Sequence, residues 1–176
     1  MDIKDLTVND AELRDTLLPR LRGRVFHVTP LAVFDQICEA GEIRPNTNGQ
    51  FAMVMGSTSS FFRNRDCVSL FDYRSASAKQ INDSIGKCSP FHLRASDPEM
   101  DFEPKIAFLF LSKTAHGQLI PWIRWKEEKA LSEKIVPFVE AGYPGPVPVP
   151  MIEEVLRVTI NFPTDSILAI LRRRKR

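Results

Sequence analysis

Cysteine is scarce in this chain, and its three cysteines fit neither a disulfide framework nor a zinc site. Cys38, Cys67 and Cys88 are odd in number and form no C-x-x-C pair, the spacing that thiolate zinc sites use. The sequence also lacks a P-loop and the motifs G-x-G-x-x-G, G-x-S-x-G and H-E-x-x-H. These absences exclude the corresponding nucleotide-binding folds, hydrolases and metalloproteases, and we expect no metal site.

Long hydrophobic runs are absent as well. The longest, Ile106–Leu111, is far shorter than the ~20 residues that cross a bilayer. The first residues, Met1–Asp5, lack the basic-then-apolar order of a secretory signal. We therefore expect a protein of the reducing cytoplasm that has free thiols and does not contact a membrane.

The chain has only a small excess of positive charge. It carries 24 Lys plus Arg against 22 Asp plus Glu, a formal net charge of +2, and residues 172–176 are all cationic, so that without those five charges +2 becomes −3. This balance argues against a basic nucleic-acid-binding domain. We predict a single domain over residues 1–171 and a basic tail over residues 172–176. The tail is either a solvated end or a segment that binds nucleic-acid phosphates.

Apolar periodicity and turn residues predict a mixed fold. The sequence predicts helices at residues 8–21, 29–41, 75–85, 122–130 and 167–171, and strands at residues 24–28, 67–71, 90–94, 106–111 and 154–160. The strand at Ile106–Leu111 is apolar on both faces, which predicts a central position. Residues 137–150 contain five prolines, so we expect an irregular crossing there. This pattern is typical of one α+β domain with mostly antiparallel strands.

The three histidines are the first candidates for chemistry. His27 lies in a predicted strand that runs into a helix, His92 lies between two apolar residues, and His116 lies in a polar turn. Taken singly, each is better explained as a structural or exposed side chain than as a catalytic one. The order of elements around His27 changes that interpretation.

Residues 24–43, RVFHVTPLAVFDQICEAGEI, resemble the opening of the ADP-ribosyltransferase superfamily. In that superfamily a strand ending in (Y/F)-H-x-(T/S) precedes a helix of the form xxLxxIxxxG-x-(L/I). The DarT-type toxins, which modify DNA, and related bacterial defence proteins are the most similar group. A second segment, Glu154–Val158 followed by Pro163–Ile167, is similar to that group's E-V-L-V…P-x-x-x-I segment. The resemblance implies a split, mostly antiparallel sheet with flanking helices.

The resemblance also implies that NAD is the substrate, and it assigns roles to residues of both segments. His27 is implied to be catalytic and to bond the hydroxyls of NAD. The backbone of Val28 is implied to hold the carboxamide, and Thr29 either bonds the nucleotide or caps its helix. Glu154 is implied to be catalytic by stabilising an oxocarbenium-like transition state. Glu153 is its neighbour on a strand, so we expect its side chain to face the other way.

Further candidates for NAD binding lie in the middle of the chain. One of Arg63, Arg65 and Arg74 is suited to the pyrophosphate, because a guanidinium group matches phosphate geometry. Tyr73 is suited to stacking on the nicotinamide. The alternative is that these are surface arginines and a half-buried tyrosine. The polar run Ser57–Ser59 either lines the site or is only a loop.

The function implied by the resemblance is NAD-dependent mono-ADP-ribosyl transfer. The chain would be a bacterial toxin or phage-defence effector, with a nucleic-acid base, a protein side chain or a small molecule as acceptor. Two alternatives stay open. One is a catalytically inactive domain of the same fold that binds a nucleotide or a partner. The other is an interaction protein of the immunity type, in which the histidine motif is accidental.

Overall fold

The structure is a computed structural model that describes residues 1–51, 57–91 and 105–161. Several predicted features lie outside these ranges. They are His92, the segment Pro163–Ile167, the helix at residues 167–171 and the basic tail at residues 172–176. The predicted strand at residues 90–94 lies mostly outside them too, and its first two residues form a turn.

A seven-stranded sheet dominates the fold. Its strands are β1 (Asp2–Asn9), β2 (Val25–Pro30), β4 (Cys67–Asp72), β5 (Lys105–Leu111), β6 (Ile120–Pro121), β7 (Glu140–Pro144) and β9 (Ile152–Asn161), in the order β1-β9-β5-β2-β4-β7-β6. All neighbours are antiparallel except β1 and β9, which run parallel. Two short strands, β3 (Glu42–Ile43) and β8 (Val147–Pro148), form a separate pair. The described part of the chain is therefore α+β with a mostly antiparallel sheet, as predicted.

Helices cover both faces of this sheet. They are α1 (Leu13–Leu21), α2 (Leu31–Ala40), α3 (Ala78–Lys87) and the short α4 (Arg124–Glu127). One core joins apolar residues of α1 and α3 to side chains such as Phe26 and Phe110, and a second joins α2 to Val25 and Leu109 on the opposite face. Because β5 is buried on both faces, the predicted central position of this strand is confirmed.

Two predictions about local structure are wrong. Residues 8 and 9 belong to β1 rather than to the first helix, because β1 pairs over eight residues with β9. The proline-rich stretch contains regular structure, since β7 pairs with β4 over five residues. The reason is the spacing of the prolines: none lies between Pro137 and Pro144, so the residues between them keep every N–H needed for a ladder.

The sheet opens beside β2. This strand pairs with β5 over five residues but with β4 over only two, Val25 with Asp72 and Phe26 with Phe71. Beyond Phe26 the two strands diverge, and we call this opening the fork. It divides the sheet into β1-β9-β5-β2 on one side and β4-β7-β6 on the other.

In the described ranges, no helix is both long and apolar enough to cross a membrane.

Candidate functional site

Three polar side chains interrupt the buried strands at the fork. His27 in β2 and Ser69 in β4 are half-buried, and each has two buried residues on either side within its strand. Glu140 at the start of β7 is also half-buried, and three buried residues follow it. The strands β2, β4 and β7 are neighbours in the sheet. The three residues therefore lie on neighbouring strands but not on one face of the sheet. Ser69 and Glu140 share the face of Phe71, whereas His27 is level with Leu109, on the opposite face, and reaches β4 through the Ser69 carbonyl.

The His27 ring spans the fork. Its Nδ1 lies 3.2 Å from the backbone carbonyl oxygen of Ser69. Because a carbonyl can only accept, Nδ1 carries the proton and Nε2 is left as an acceptor. Burial lowers the pKa of His27, although the Ser69 carbonyl acts in the opposite direction. The ring is therefore a neutral imidazole near pH 7, with Nδ1 as its donor and Nε2 as its acceptor.

The Glu140 carboxyl is held by the turn that precedes β7. Its Oε2 accepts a hydrogen bond of 2.7 Å from the amide of Val136, and the Glu140 amide donates to the Val136 carbonyl at 3.1 Å. Burial raises the pKa of Glu140, and the Val136 amide and the Ser69 hydroxyl oppose that rise. Ser69 thus contacts both partners, His27 through its carbonyl and Glu140 through its hydroxyl.

Glu154 lies away from this cluster. It is level with Phe110, Phe26, Phe71 and Glu140 along one row that crosses five strands. Four strand spacings of ~4.8 Å separate Glu154 from Glu140 by about 19 Å, and the three phenylalanines stand between them. The Glu154 carboxylate instead bonds Lys4 at 2.7 Å and Arg24 at 2.8 Å. The structure does not bring His27 and Glu154 together.

The prediction that Glu153 and Glu154 face opposite ways is wrong. Arg24 donates to both carboxylates, at 3.1 Å and 2.8 Å. The cause is a register shift in the pairing of β5 with β9. Phe110 pairs with Glu154, but the next residue, Leu111, pairs with Ile152, so Glu153 is an extra residue in β9. Strict alternation holds only in an unbulged strand, so both carboxylates reach one guanidinium group.

Two of the three arginines predicted for the pyrophosphate, Arg65 and Arg74, already have acidic partners. Arg65 bonds Glu128 at 2.7 Å and Glu133 at 2.6 Å, and its guanidinium carbon lies 3.6 Å from the centroid of the Phe61 ring. Arg74 makes a two-pronged contact with Asp72 at 2.9 Å and 2.7 Å. A phosphate would have to displace these carboxylates.

The other predicted NAD contacts are buried within the sheet and the core. Val28 is 8% exposed and Thr29 is 5% exposed; both pair with β5. Helix α2 begins only at Leu31 and its N-cap residue is Pro30, so Thr29 is not the cap. Tyr73 is 1% exposed, and its ring meets that of Phe26 edge-on at 5.1 Å. The Tyr73 ring is thus part of the core rather than of an open surface.

Two further candidates lie elsewhere. His116 is in a short 3-10 helix, and its Nε2 bonds the Leu111 carbonyl at 3.3 Å. The Ser57 and Ser59 hydroxyls lie 3.0 Å apart, and Ser59 accepts a backbone bond from Lys134. The run is therefore a polar turn alongside the segment that leads to Glu140.

Sequence reasoning missed Ser69 and Glu140. A signal was present, because each is a lone polar residue in an apolar stretch: Val68-Ser69-Leu70 in one strand, and Val139-Glu140-Ala141 in the other. The three site strands are not consecutive in the chain, so only the topology shows that their polar positions meet.

No family model, no curated protein and no solved structure matches this chain.

Proposed function

We propose that this chain is a NAD-dependent mono-ADP-ribosyltransferase whose NAD-binding cleft is the fork between β2 and β4. The observation that carries the proposal is the position of Ser69 at the fork, where its carbonyl meets His27 on β2 and its hydroxyl meets Glu140 on β7. Two features support it further. His27 belongs to the segment that resembles the superfamily, and the sheet opens beside that residue, as a split sheet would.

Glu140 is a better candidate than Glu154 for the catalytic carboxylate. In the transfer, the bond between the ribose C1′ and the nicotinamide nitrogen breaks, its electron pair stays on that nitrogen, and neutral nicotinamide leaves. The acceptor forms a new bond to C1′ and gives up a proton. A carboxylate beside C1′ stabilises the cationic transition state, and the raised pKa of Glu140 suits it to take the proton. The positive charge of NAD's nicotinamide ring in turn favours the ionised carboxylate.

His27 has a binding role in this proposal. Its Nδ1–H is used by the Ser69 carbonyl, so the free Nε2 can accept a hydrogen bond from a ribose hydroxyl of NAD. Because the ring is neutral, it adds no positive charge beside the developing oxocarbenium ion. Ser69 then acts as a positioning residue that fixes both the imidazole and the carboxyl.

The biological setting that we propose is the one implied by the resemblance to the ADP-ribosyltransferase superfamily. That setting is a bacterial toxin or phage-defence effector that transfers ADP-ribose to nucleic acid or protein. A second candidate is a catalytically inactive domain that binds a nucleotide or a partner. The pairing of Arg65 and Arg74 with carboxylates favours it, because neither guanidinium group is free for a pyrophosphate.

One experiment separates these functions. Purified protein is incubated with NAD, nicotinamide release is followed by chromatography, and thermal unfolding is measured with and without NAD. The proposal predicts both release and stabilisation, the latter by about 2.7 kcal/mol when NAD is present at a hundred times its dissociation constant. Stabilisation without release indicates the inactive domain. If NAD causes neither nicotinamide release nor stabilisation, the fork is not a NAD site.

A further inference from the structure

A patch of apolar and cationic side chains lies on the chain segment that leads to Glu140. Trp122 and Phe138 are in contact, with ring centroids 4.6 Å apart. Phe138 is 45% exposed and Ile123, next to Trp122, is 38% exposed. The Lys126 ammonium lies 5.0 Å from the centroid of the Trp122 ring. We call these four residues, Trp122, Ile123, Lys126 and Phe138, the aromatic patch.

The backbone of Phe138 shows that this exposure is built into the fold. Its φ is +71°, in the left-handed region where a residue with a Cβ is disfavoured. Such conformations persist where the surrounding structure holds them, and they cluster at functional positions. Here the neighbouring turn is fixed by the two bonds between Val136 and Glu140. That turn presents a large apolar ring to solvent two residues before the proposed catalytic carboxyl.

The charges around the patch are unequal. The acids of this stretch are paired with arginines: Glu127 with Arg124, Glu128 with Arg124 and Arg65, and Glu133 with Arg65. Three lysines, Lys126, Lys129 and Lys134, make no ion pair in the described part of the chain. Neutralised acids beside unpaired lysines leave the surface with positive charge to offer a partner.

We propose that the aromatic patch binds an acidic segment of a partner protein. An apolar side chain of that segment packs against Phe138 and Ile123, and a carboxylate meets Lys126. An exposed aromatic and aliphatic cluster with a charged side chain at its edge matches the apolar core and polar rim of protein interfaces. The patch fits single-stranded nucleic acid less well, because bases need open aromatic faces, and Lys126 already occupies a face of Trp122. The proposal does not depend on the chain being an enzyme.

The test uses two matched variants and a random peptide library. Phe138→Asn removes the ring and keeps a residue that tolerates a positive φ. Phe51→Asn is the control, because Phe51 is also 45% exposed and lies outside the patch. Phage displaying short random peptides are selected against the wild-type protein. The selected sequences are then synthesised, and their affinities for the three proteins and for Lys126→Glu are measured by fluorescence anisotropy at low and high salt.

We expect the selected peptides to combine Asp or Glu with a large apolar residue. Their affinity should fall about tenfold or more in Phe138→Asn and Lys126→Glu, stay unchanged in Phe51→Asn, and weaken with added salt. The proposal is overturned if nothing is enriched on the wild type relative to Phe138→Asn, if the enriched peptides lack acidic residues, or if both Asn variants lose affinity equally. Tighter, Phe138-dependent binding of single-stranded oligothymidine would also overturn it, in favour of a nucleic-acid surface.

Discussion

Glu140 and Glu154 stand in the same row of the sheet, but their surroundings act on them in opposite ways. Burial raises the pKa of Glu140, and its two hydrogen-bonding neighbours do not cancel that effect. Burial acts in the same direction on Glu154, but the bonds from Lys4 and Arg24 outweigh it, so the pKa of Glu154 is lowered. A carboxyl kept at a cost to the fold is characteristic of a functional position, whereas a carboxylate held by two cations is characteristic of a structural ion pair.

The first prediction therefore compares Glu140→Gln with Glu154→Gln. Above the titration range of an ordinary glutamate, an acid whose folded pKa is raised destabilises the folded state, and one whose folded pKa is lowered stabilises it. Glu140→Gln should raise the free energy of unfolding at neutral pH, and Glu154→Gln should lower it, each by on the order of 1 kcal/mol. Urea unfolding at several pH values measures both. The Glu154 contribution should disappear as the pH falls through the glutamate range, and a loss of stability in Glu140→Gln at neutral pH would contradict the account.

The second prediction concerns His27. Replacing it by alanine removes the acceptor proposed for a NAD hydroxyl and should weaken NAD binding about tenfold, the value of one hydrogen bond of ~1.4 kcal/mol. Because burial lowers the pKa of His27, the ring stays neutral to a lower pH than an ordinary histidine, so wild-type affinity should change less between pH 6 and pH 8 than titration of an ordinary histidine would cause. Calorimetric titration at several pH values tests this. An affinity that follows a pKa near 6.5 would mean that the imidazole is more exposed to water than we infer.

At the scale of elements, the sequence predicts the strands and helices that have strong apolar patterns. The strands at β2, β4, β5 and β9 and the helix at α2 are confirmed because each buries an apolar stripe against the sheet. Strand β1 was missed because it is a charged edge strand whose burial is limited to its last residues. Strand β7 was missed because prolines surround it.

Only the part of the candidate site that lies within one continuous segment could be predicted from the sequence. His27 lies in a local strand-to-helix pattern, which the sequence displays. Glu140 is linked to His27 only through Ser69, by the strand order β2-β4-β7, a non-local arrangement that no short pattern contains. The bulge at Glu153 was equally hidden, because alternation in a sequence does not show where a strand gains an extra residue.

The third prediction concerns the packing of β7. A Cβ at Gly142 would collide with the Phe62 ring, which packs directly over that backbone. Gly142→Ala should therefore destabilise the protein by about 1–3 kcal/mol, as overpacking of a close-packed core does. Gly86→Ala is the control, because a Cβ there meets nothing and alanine favours the helix by up to about 1 kcal/mol. Urea unfolding of the two variants should give shifts of opposite sign, and a neutral Gly142→Ala would mean that Phe62 is free to move.

At the scale of the whole molecule, the fork is the seam between two halves of the sheet. Two residue pairs of β2 with β4 join the halves within the sheet, together with the His27 bond to the Ser69 carbonyl, whereas β2 with β5, β4 with β7 and β5 with β9 each share ladders of at least five pairs. NAD bound at the seam, as we propose, would contact both halves. The aromatic patch begins two residues from this cleft, so a bound partner would lie close to the proposed reaction.

The most direct test of the central claim is the rate of nicotinamide release at saturating NAD by the wild type, Glu140→Gln and Glu154→Gln. Glutamine keeps the size of the side chain and one acceptor oxygen but removes the charge. We predict that Glu140→Gln loses on the order of a hundredfold or more in rate while its NAD affinity changes little, and that Glu154→Gln keeps wild-type turnover once its lower stability is allowed for. Wild-type turnover in Glu140→Gln with loss in Glu154→Gln would contradict the account and move the reaction to the other end of the row.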